Sequence, residues 1–353
     1  MSRFLNERYL SLEVYTPGEQ PQDKQYIKLN TNESPYPPSE KTVAAVSADE
    51  VRDLRLYSDP EGKELKTALA KLHGVEPCNI FLSNGSDDIL NFAFMAFAGK
   101  GAIFPEISYG FYKVFADLHG VKYHTIPLKE DFSIDPTDYK ADGRLTVIAN
   151  PNAPTGRYLT PDKIESVLAQ NPDGVVLIDE AYIDFGGESC YPLIKKYSNL
   201  LVVQTFSKSR SMAGARLGFA IADSALIADL ERIKYSTNPY NINRLTLAAG
   251  KAAVEDNGYY MANCRKIIET RENTAKELLK LGFNVIPSKA NFLFAESDKI
   301  DGKELYLKLK DNGILIRHFE TEKIRNFNRI TVGSAEEMKV LIDTVKKILE
   351  GTL

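Results

Sequence analysis

Cysteine, histidine and net charge are all scarce in this chain, and each shortage removes a class of protein. Three cysteines, Cys78, Cys190 and Cys264, lie far apart in 353 residues and form no C-x-x-C pair. A disulfide framework is therefore excluded and a reducing compartment implied. Four histidines, His73, His119, His124 and His318, are scattered without ligand spacing, so no metal centre is expected. The formal charge of −4 is small for the size and lends no overall support to a nucleic-acid groove or an anionic-membrane surface. No run approaches the roughly 18 apolar residues of a spanning helix. The opening MSRFLNERYLSLEVY lacks the apolar core of a signal peptide, and a soluble cytoplasmic protein is expected. Neither G-x-G-x-x-G nor G-x-x-x-x-G-K-[ST] follows the first apolar run, which argues against a nucleotide-binding or regulatory α/β protein. Internal repeats and low-complexity tracts are also missing.

What is present is an ordinary globular composition, 43% hydrophobic and 26% charged, in a chain long enough for about two domains. Polar, Pro-rich sequence up to residue 35 reads as an N-terminal arm, and Pro35, Pro37 and Pro38 keep the NTNESPYPPS stretch out of regular helix. From about residue 79 short apolar runs recur: NIFLS, GAIFP, KYHTIPL, LTVIAN, GVVLIDE, LLVVQTFS and LGFAIA. Runs apolar on both faces and separated by helical patterns predict an α/β sheet covered on each side. After NPYNIN the pattern changes to long amphipathic helices, one closing on Gly282, then short strands and a last helix from Ala335 to about Leu349. The expected division is an arm over 1–35, a large domain over 36–245 and a smaller α+β domain over 246–353.

Ligands of an open α/β sheet sit beyond the carboxyl ends of its strands, so the residues that follow each run are the candidates. Ser86 and Asp87 open a helix after Gly85, which is either an anion site or a simple N-cap. Asp179 ends a strand and is either a cap or an acid facing a protonated ring nitrogen or a metal. Asn150 and Asn152 lie in a Pro-rich turn. Lys208 stands at the end of another strand among Ser207, Ser209 and Ser211, with Arg216 beyond. A lysine of ordinary pKa, about 10.4, is a poor nucleophile at neutral pH, whereas burial and a neighbouring cation depress that pKa and favour Schiff-base chemistry. An anion site, a strand-end acid and an embedded lysine together suit a cofactor with a phosphate, a ring nitrogen and a carbonyl, and pyridoxal 5′-phosphate has all three.

TFSKSRSMAGARLGF resembles the lysine signature of the fold type I pyridoxal-phosphate enzymes, the aspartate-aminotransferase-like family. VYTPGEQP, KLNTNESPYPPS, LSNGSDDIL, SYGFY, NPNAPTG, DEAYIDF, GILIRHF and NRITVG follow in that family's order over nearly the whole chain. The resemblance implies a large domain with a mostly parallel seven-stranded sheet plus a smaller α+β domain. It implies that Lys208 bonds the cofactor aldehyde and moves the substrate's α-proton, that Asp179 keeps the pyridine nitrogen protonated, and that Tyr182 bonds the ring hydroxyl. Tyr109 would stack on the ring. Ser86, Asp87, Ser207 and Arg216 would hold the phosphate, and Tyr57 would reach a phosphate across a homodimer interface. Relatives commonly carry an asparagine where this chain has Ala153, and Asn152 is the expected replacement. Tyr15, Asn30, Arg317 and Arg329 would line the substrate end, where paired arginines suit a phosphorylated amine, with 2-oxoglutarate accepting the amino group and leaving as glutamate. Aromatic amino acids and phosphothreonine are the alternative substrates.

Overall fold

The computed structural model describes residues 3–10, 12–13 and 15–353. All seven apolar runs become strands of one sheet: β1 (Ile80–Ser83), β2 (Ala102–Pro105), β3 (Tyr123–Ile126), β4 (Leu145–Ala149), β5 (Val176–Asp179), β6 (Leu200–Thr205) and β7 (Gly218–Ala222). Across the sheet they run β1-β7-β6-β5-β4-β2-β3. The pairs β2–β3, β2–β4, β4–β5 and β5–β6 are parallel, while β7 runs antiparallel to both β1 and β6.

Central strands are Val-, Ile- and Leu-rich because both of their faces are covered. Alternate residues serve opposite layers: Ile178, Val202 and Ile221 face one core, Leu177, Leu201 and Ala220 the other. The edge strand β3 carries exposed His124 and Thr125 instead. The reversal of β7 sets Ser83, Gly218 and Thr205 side by side, Ser83↔Gly218 and Gly218↔Thr205. The loops after β1 and β6 and the loop before β7 therefore converge at one end of the sheet, where β4 and β5 also terminate.

The smaller unit is an antiparallel sheet of β8 (Phe283–Ile286), β9 (Phe292–Ser297), β10 (Arg317–His318) and β11 (Asn328–Thr331), ordered β10-β11-β9-β8. The last helix spans Ala335–Leu349 as expected, opened by a capping box between Ser334 and Glu337. The arm joins this unit: Ile27–Lys28 pairs in parallel with Ile314–Leu315, and Leu29 enters the small core. One expected boundary moves. Ala249, Ala253, Val254 and Tyr260 belong to the large core, whereas Cys264 and Ile267 belong to the small one. The change of core thus falls inside the helix Asn257–Lys280, not at residue 245, because the preceding helix Arg244–Glu255 packs on the large domain, with Gly250 close against Leu217 and Leu65.

Candidate active site

Strand ends build a cavity of about 190 Å³ lined by Ser86, Asp87, Tyr109, Ala153, Asp179, Tyr182, Ser207, Lys208 and Arg216, with Thr31 from the arm closing one side. Lys208 is half-buried, and its Nζ donates to the Thr31 carbonyl at 3.2 Å. Burial, followed by the nearby Arg329 charge, depresses its pKa to about 8. At pH 7 roughly a tenth of it is then free amine, several hundredfold more than for a solvated lysine.

Asp179 closes β5 and is 5% exposed. The Tyr112 hydroxyl donates to its Oδ2 at 2.8 Å, and the Ala181 N–H donates to Oδ1 at 3.2 Å. Burial dominates over these donors and lifts its pKa to about 6. A buried carboxylate of this kind is stabilised by a cation presented from the cavity, which is what a protonated ring nitrogen offers.

The other end of the cavity is an anion cradle. Gly85 at φ +84° precedes the helix Ser86–Phe97, so the helix N–H groups face the cavity. Arg216, held at φ +55°, lays its guanidinium where a Gly85 Cβ would stand, 2.8 Å from Nη2. Its Nη2 pairs with Asp87 Oδ2 at 3.0 Å, and the Tyr109 hydroxyl donates to Asp87 Oδ1 at 2.8 Å. Asp87 therefore contributes its amide to the cradle, while its carboxylate aligns Arg216 and Tyr109. Ser207 completes the lining, its N–H donating to Thr205 Oγ1 at 3.1 Å.

Beyond Lys208 a second charged group gathers. Arg317 and Arg329 are directly opposed across β10 and β11, an arrangement that like charges disfavour unless an anion joins them. Arg329 Nη2 donates to the Asn30 carbonyl at 2.8 Å, and its guanidinium lies 5.5 Å from the Phe292 ring centroid. Among the described residues its buried Nε has no hydrogen-bond partner, and neither has Asn30 Oδ1. Arg317 donates to the arm carbonyls of Pro17 and Thr16 at 3.3 and 3.4 Å. Tyr15 packs on Phe111 with ring centroids 4.3 Å apart and lies in the field of both arginines.

Of the candidates named from sequence, Ser86, Asp87, Tyr109, Asp179, Tyr182, Ser207, Lys208 and Arg216 line the cavity, Tyr15, Asn30, Arg317 and Arg329 form a group outside that lining, and two stand apart. Asn152 is buried but gives both donors away, to Ile107 O and Thr155 Oγ1 at 3.0 Å each, and its Oδ1 accepts from Ser108 at 2.8 Å. No N–H remains for a ring oxygen, so it does not replace the asparagine that Ala153 lacks. Tyr57 is 80% exposed, stacked on Tyr240 at 4.5 Å, and does not line the cavity of its own chain. Sequence reasoning missed Tyr112, Asn32 and Thr331. Tyr112 lies inside the SYGFY motif, yet no spacing rule marks it.

A seven-stranded sheet of this order, with a lysine, an acid and a phosphate cradle at the strand ends, defines the fold type I enzymes. The aminotransferase class I and II model matches residues 24–345, and the chain belongs to that family. It is 52% identical to the histidinol-phosphate aminotransferase of Brachyspira hyodysenteriae over 99% of this chain and 100% of that protein. It is 48% identical to that of Clostridium beijerinckii over 99% of both. The crystal structure of the Clostridium acetobutylicum histidinol-phosphate aminotransferase superposes with a TM-score of 0.85 at 26% identity, covering 92% of this chain and 99% of that one. The cofactor of the family is pyridoxal 5′-phosphate, and the cavity suits it: a phosphate cradle that a Cβ at position 85 would fill, a buried acid that the described residues do not pair in a salt bridge, and a lysine of lowered pKa.

Gly218 tests the cradle. A Cβ there would lie 2.5 Å from Gly85 C and Ser86 N, backbone atoms that cannot swing aside. Gly218→Ala is expected to destabilise by roughly 1–3 kcal/mol and to weaken cofactor binding, read as a lower melting temperature and a higher Kd for pyridoxal phosphate.

Proposed function

We propose that the chain transfers the amino group of histidinol phosphate to 2-oxoglutarate, giving imidazole-acetol phosphate and glutamate. The observation that carries this reading is the opposed pair Arg317 and Arg329: Arg329 Nε is buried without a partner among the described residues, and the Arg329 charge acts on Lys208. A substrate whose amine must meet Lys208 while its other end is a dianion would place that dianion on both arginines.

Bound pyridoxal phosphate supplies an aldehyde that amines bond to and a ring that draws electrons from the substrate's Cα. Asp179, deprotonated, would balance the proton on the ring nitrogen, and Tyr182 would donate to the ring oxygen. Lys208 would be the amine that bonds the aldehyde and, when free, the group that takes up and gives back the proton at the substrate's Cα. The same amine works as base and then acid, which requires a pKa near the operating pH, and about 8 meets that need. In the second half the arginines receive a 2-oxoglutarate carboxylate in place of phosphate.

The active unit is a homodimer in a cytoplasmic setting. Val43, Val46, Val51, Leu54 and Leu56 are exposed near Tyr57, an apolar surface that a second copy would cover while Tyr57 reaches the neighbouring cradle.

A coupled assay with histidinol phosphate, phenylalanine and phosphothreonine tests the assignment, with 2-oxoglutarate present or withheld. Histidinol phosphate is expected to turn over best and only with 2-oxoglutarate. Arg329→Leu should lower kcat/KM for it by roughly 10- to 150-fold, the worth of one charge-assisted hydrogen bond. Faster turnover of phenylalanine, or carbon dioxide release from phosphothreonine without 2-oxoglutarate, would replace this reading.

A further inference from the structure

The hydroxyl of Tyr182 is under the control of a residue outside the cavity lining. Asn32 is 1% exposed and sits in the left-handed region at φ +58°. Its Nδ2 donates to Tyr182 Oη at 3.0 Å. Its backbone N–H donates to Thr331 Oγ1 at 2.9 Å, and Thr331 Oγ1 donates back to Asn32 Oδ1 at 3.0 Å. Asn291 Nδ2 holds the Asn32 carbonyl at 3.0 Å.

One polarity satisfies every group in this cluster. A backbone N–H can only donate, so the Thr331 hydroxyl oxygen accepts it and must spend its own proton elsewhere. That proton goes to Asn32 Oδ1, which turns the amide nitrogen toward Tyr182. The Tyr182 oxygen therefore accepts, and its proton is left to point into the cavity. An asparagine whose amide could rotate freely would not impose this direction. The imposed direction matters more here because Ala153 and the committed Asn152 offer the ring oxygen nothing, leaving Tyr182 as its hydroxyl donor among the described lining residues.

We infer that Asn32 is a positioning residue for the cofactor: locked by Thr331, it fixes the Tyr182 hydroxyl as a donor to the ring oxygen and strengthens that donation. Thr331 lies two residues beyond Arg329 on the same face of β11, so the strand that meets the substrate anion also sets the Tyr182 proton. The inference rests on the proposed use of pyridoxal phosphate at this site.

The readout is the pH titration of the visible absorption of the cofactor-loaded enzyme. A donor at the ring oxygen withdraws negative charge that would otherwise hold a proton on the adjoining lysine nitrogen. Losing it raises the midpoint. Asn32→Gly suits the positive φ and removes only the side chain. It should raise the midpoint by about half a unit, ~0.7 kcal/mol at 1.36 kcal/mol per unit. Tyr182→Phe should raise it further, and in the Tyr182→Phe background Asn32→Gly should add nothing. Asn32→Asp, nearly the same shape but without a donor when ionised, serves if the glycine variant does not fold, and should shift the midpoint in the same direction. An unchanged midpoint in the folded variants, or an equal shift with and without Tyr182, overturns the inference while leaving the enzyme assignment intact. A wild-type protein that takes up no cofactor and shows no visible band removes both.

Discussion

Lys208→Ala is expected to lower turnover by at least roughly 10²–10⁴-fold, the range over which loss of a positioned acid–base group is felt, and to abolish the visible absorption that appears when pyridoxal phosphate is added. The loss should be chemical and not structural. Among the described residues the Nζ makes one hydrogen bond, to the Thr31 carbonyl, and its ammonium is disfavoured by burial. Truncation therefore removes an awkward charge and leaves a single acceptor, so the melting temperature of the cofactor-free protein should change little. The comparison is made on protein stripped of cofactor, by melting and by absorbance titration. Turnover within about tenfold of wild type in this variant would sink the assignment of the proton transfers to this amine.

The second large effect is at Asp179. Asp179→Asn keeps the shape, with its oxygen accepting from the Ala181 N–H and its NH₂ donating to the Tyr112 hydroxyl oxygen, but it cannot balance a positive ring nitrogen. Removing one partner of a buried ion pair costs about 3–5 kcal/mol, so kcat/KM should fall by roughly 150- to 5,000-fold. The cofactor-free protein supplies a pH test with a definite sign. In the fold the Asp179 pKa is raised to about 6 from an ordinary 3.8. Between those values the native chain holds more protons at this site than the unfolded chain does. Its contribution to stability is therefore fully present below the unfolded pKa and is lost as pH rises through the folded one. Denaturant unfolding of cofactor-free wild type should show this dependence between about pH 4 and 6, and Asp179→Asn should lack it. A slope that persists in the variant would assign the titration to another group.

The parts of the site that sequence alone could place are those carried by local signals. Asp179, Lys208 and Ser86 each follow an apolar run directly, and a strand that ends at a sheet's carboxyl edge delivers its next residues to the crevice without further information. The fold was legible for the same reason, since seven runs buried on both faces leave little choice but a covered sheet. Tyr112 and Asn32 were not legible because their partners are remote in the chain. Tyr112 meets Asp179 across 67 positions, and Asn32 meets Tyr182 across 150 and Thr331 across 299. Asn152 misled because adjacency to Ala153 says nothing about direction: the turn points its amide inward, to Ile107 and Thr155. The domain boundary misled in a similar way. The change of pattern after NPYNIN marks a change of element type, while the core that those helices serve changes only further along.

The parallel pairing of Ile27–Lys28 with Ile314–Leu315, reinforced by the Thr331 N–H donating to the Leu29 carbonyl at 2.9 Å, has a consequence for how the protein is born. The arm leaves the ribosome long before the strands that receive it, so at roughly 5–20 residues per second it waits some tens of seconds for them. Thr31 and Asn32 ride on that arm. A nascent chain halted before residue 331 can have its phosphate cradle and its lysine in place and still lack the wall that steadies the ring, so the site is complete only once Thr331 has been made.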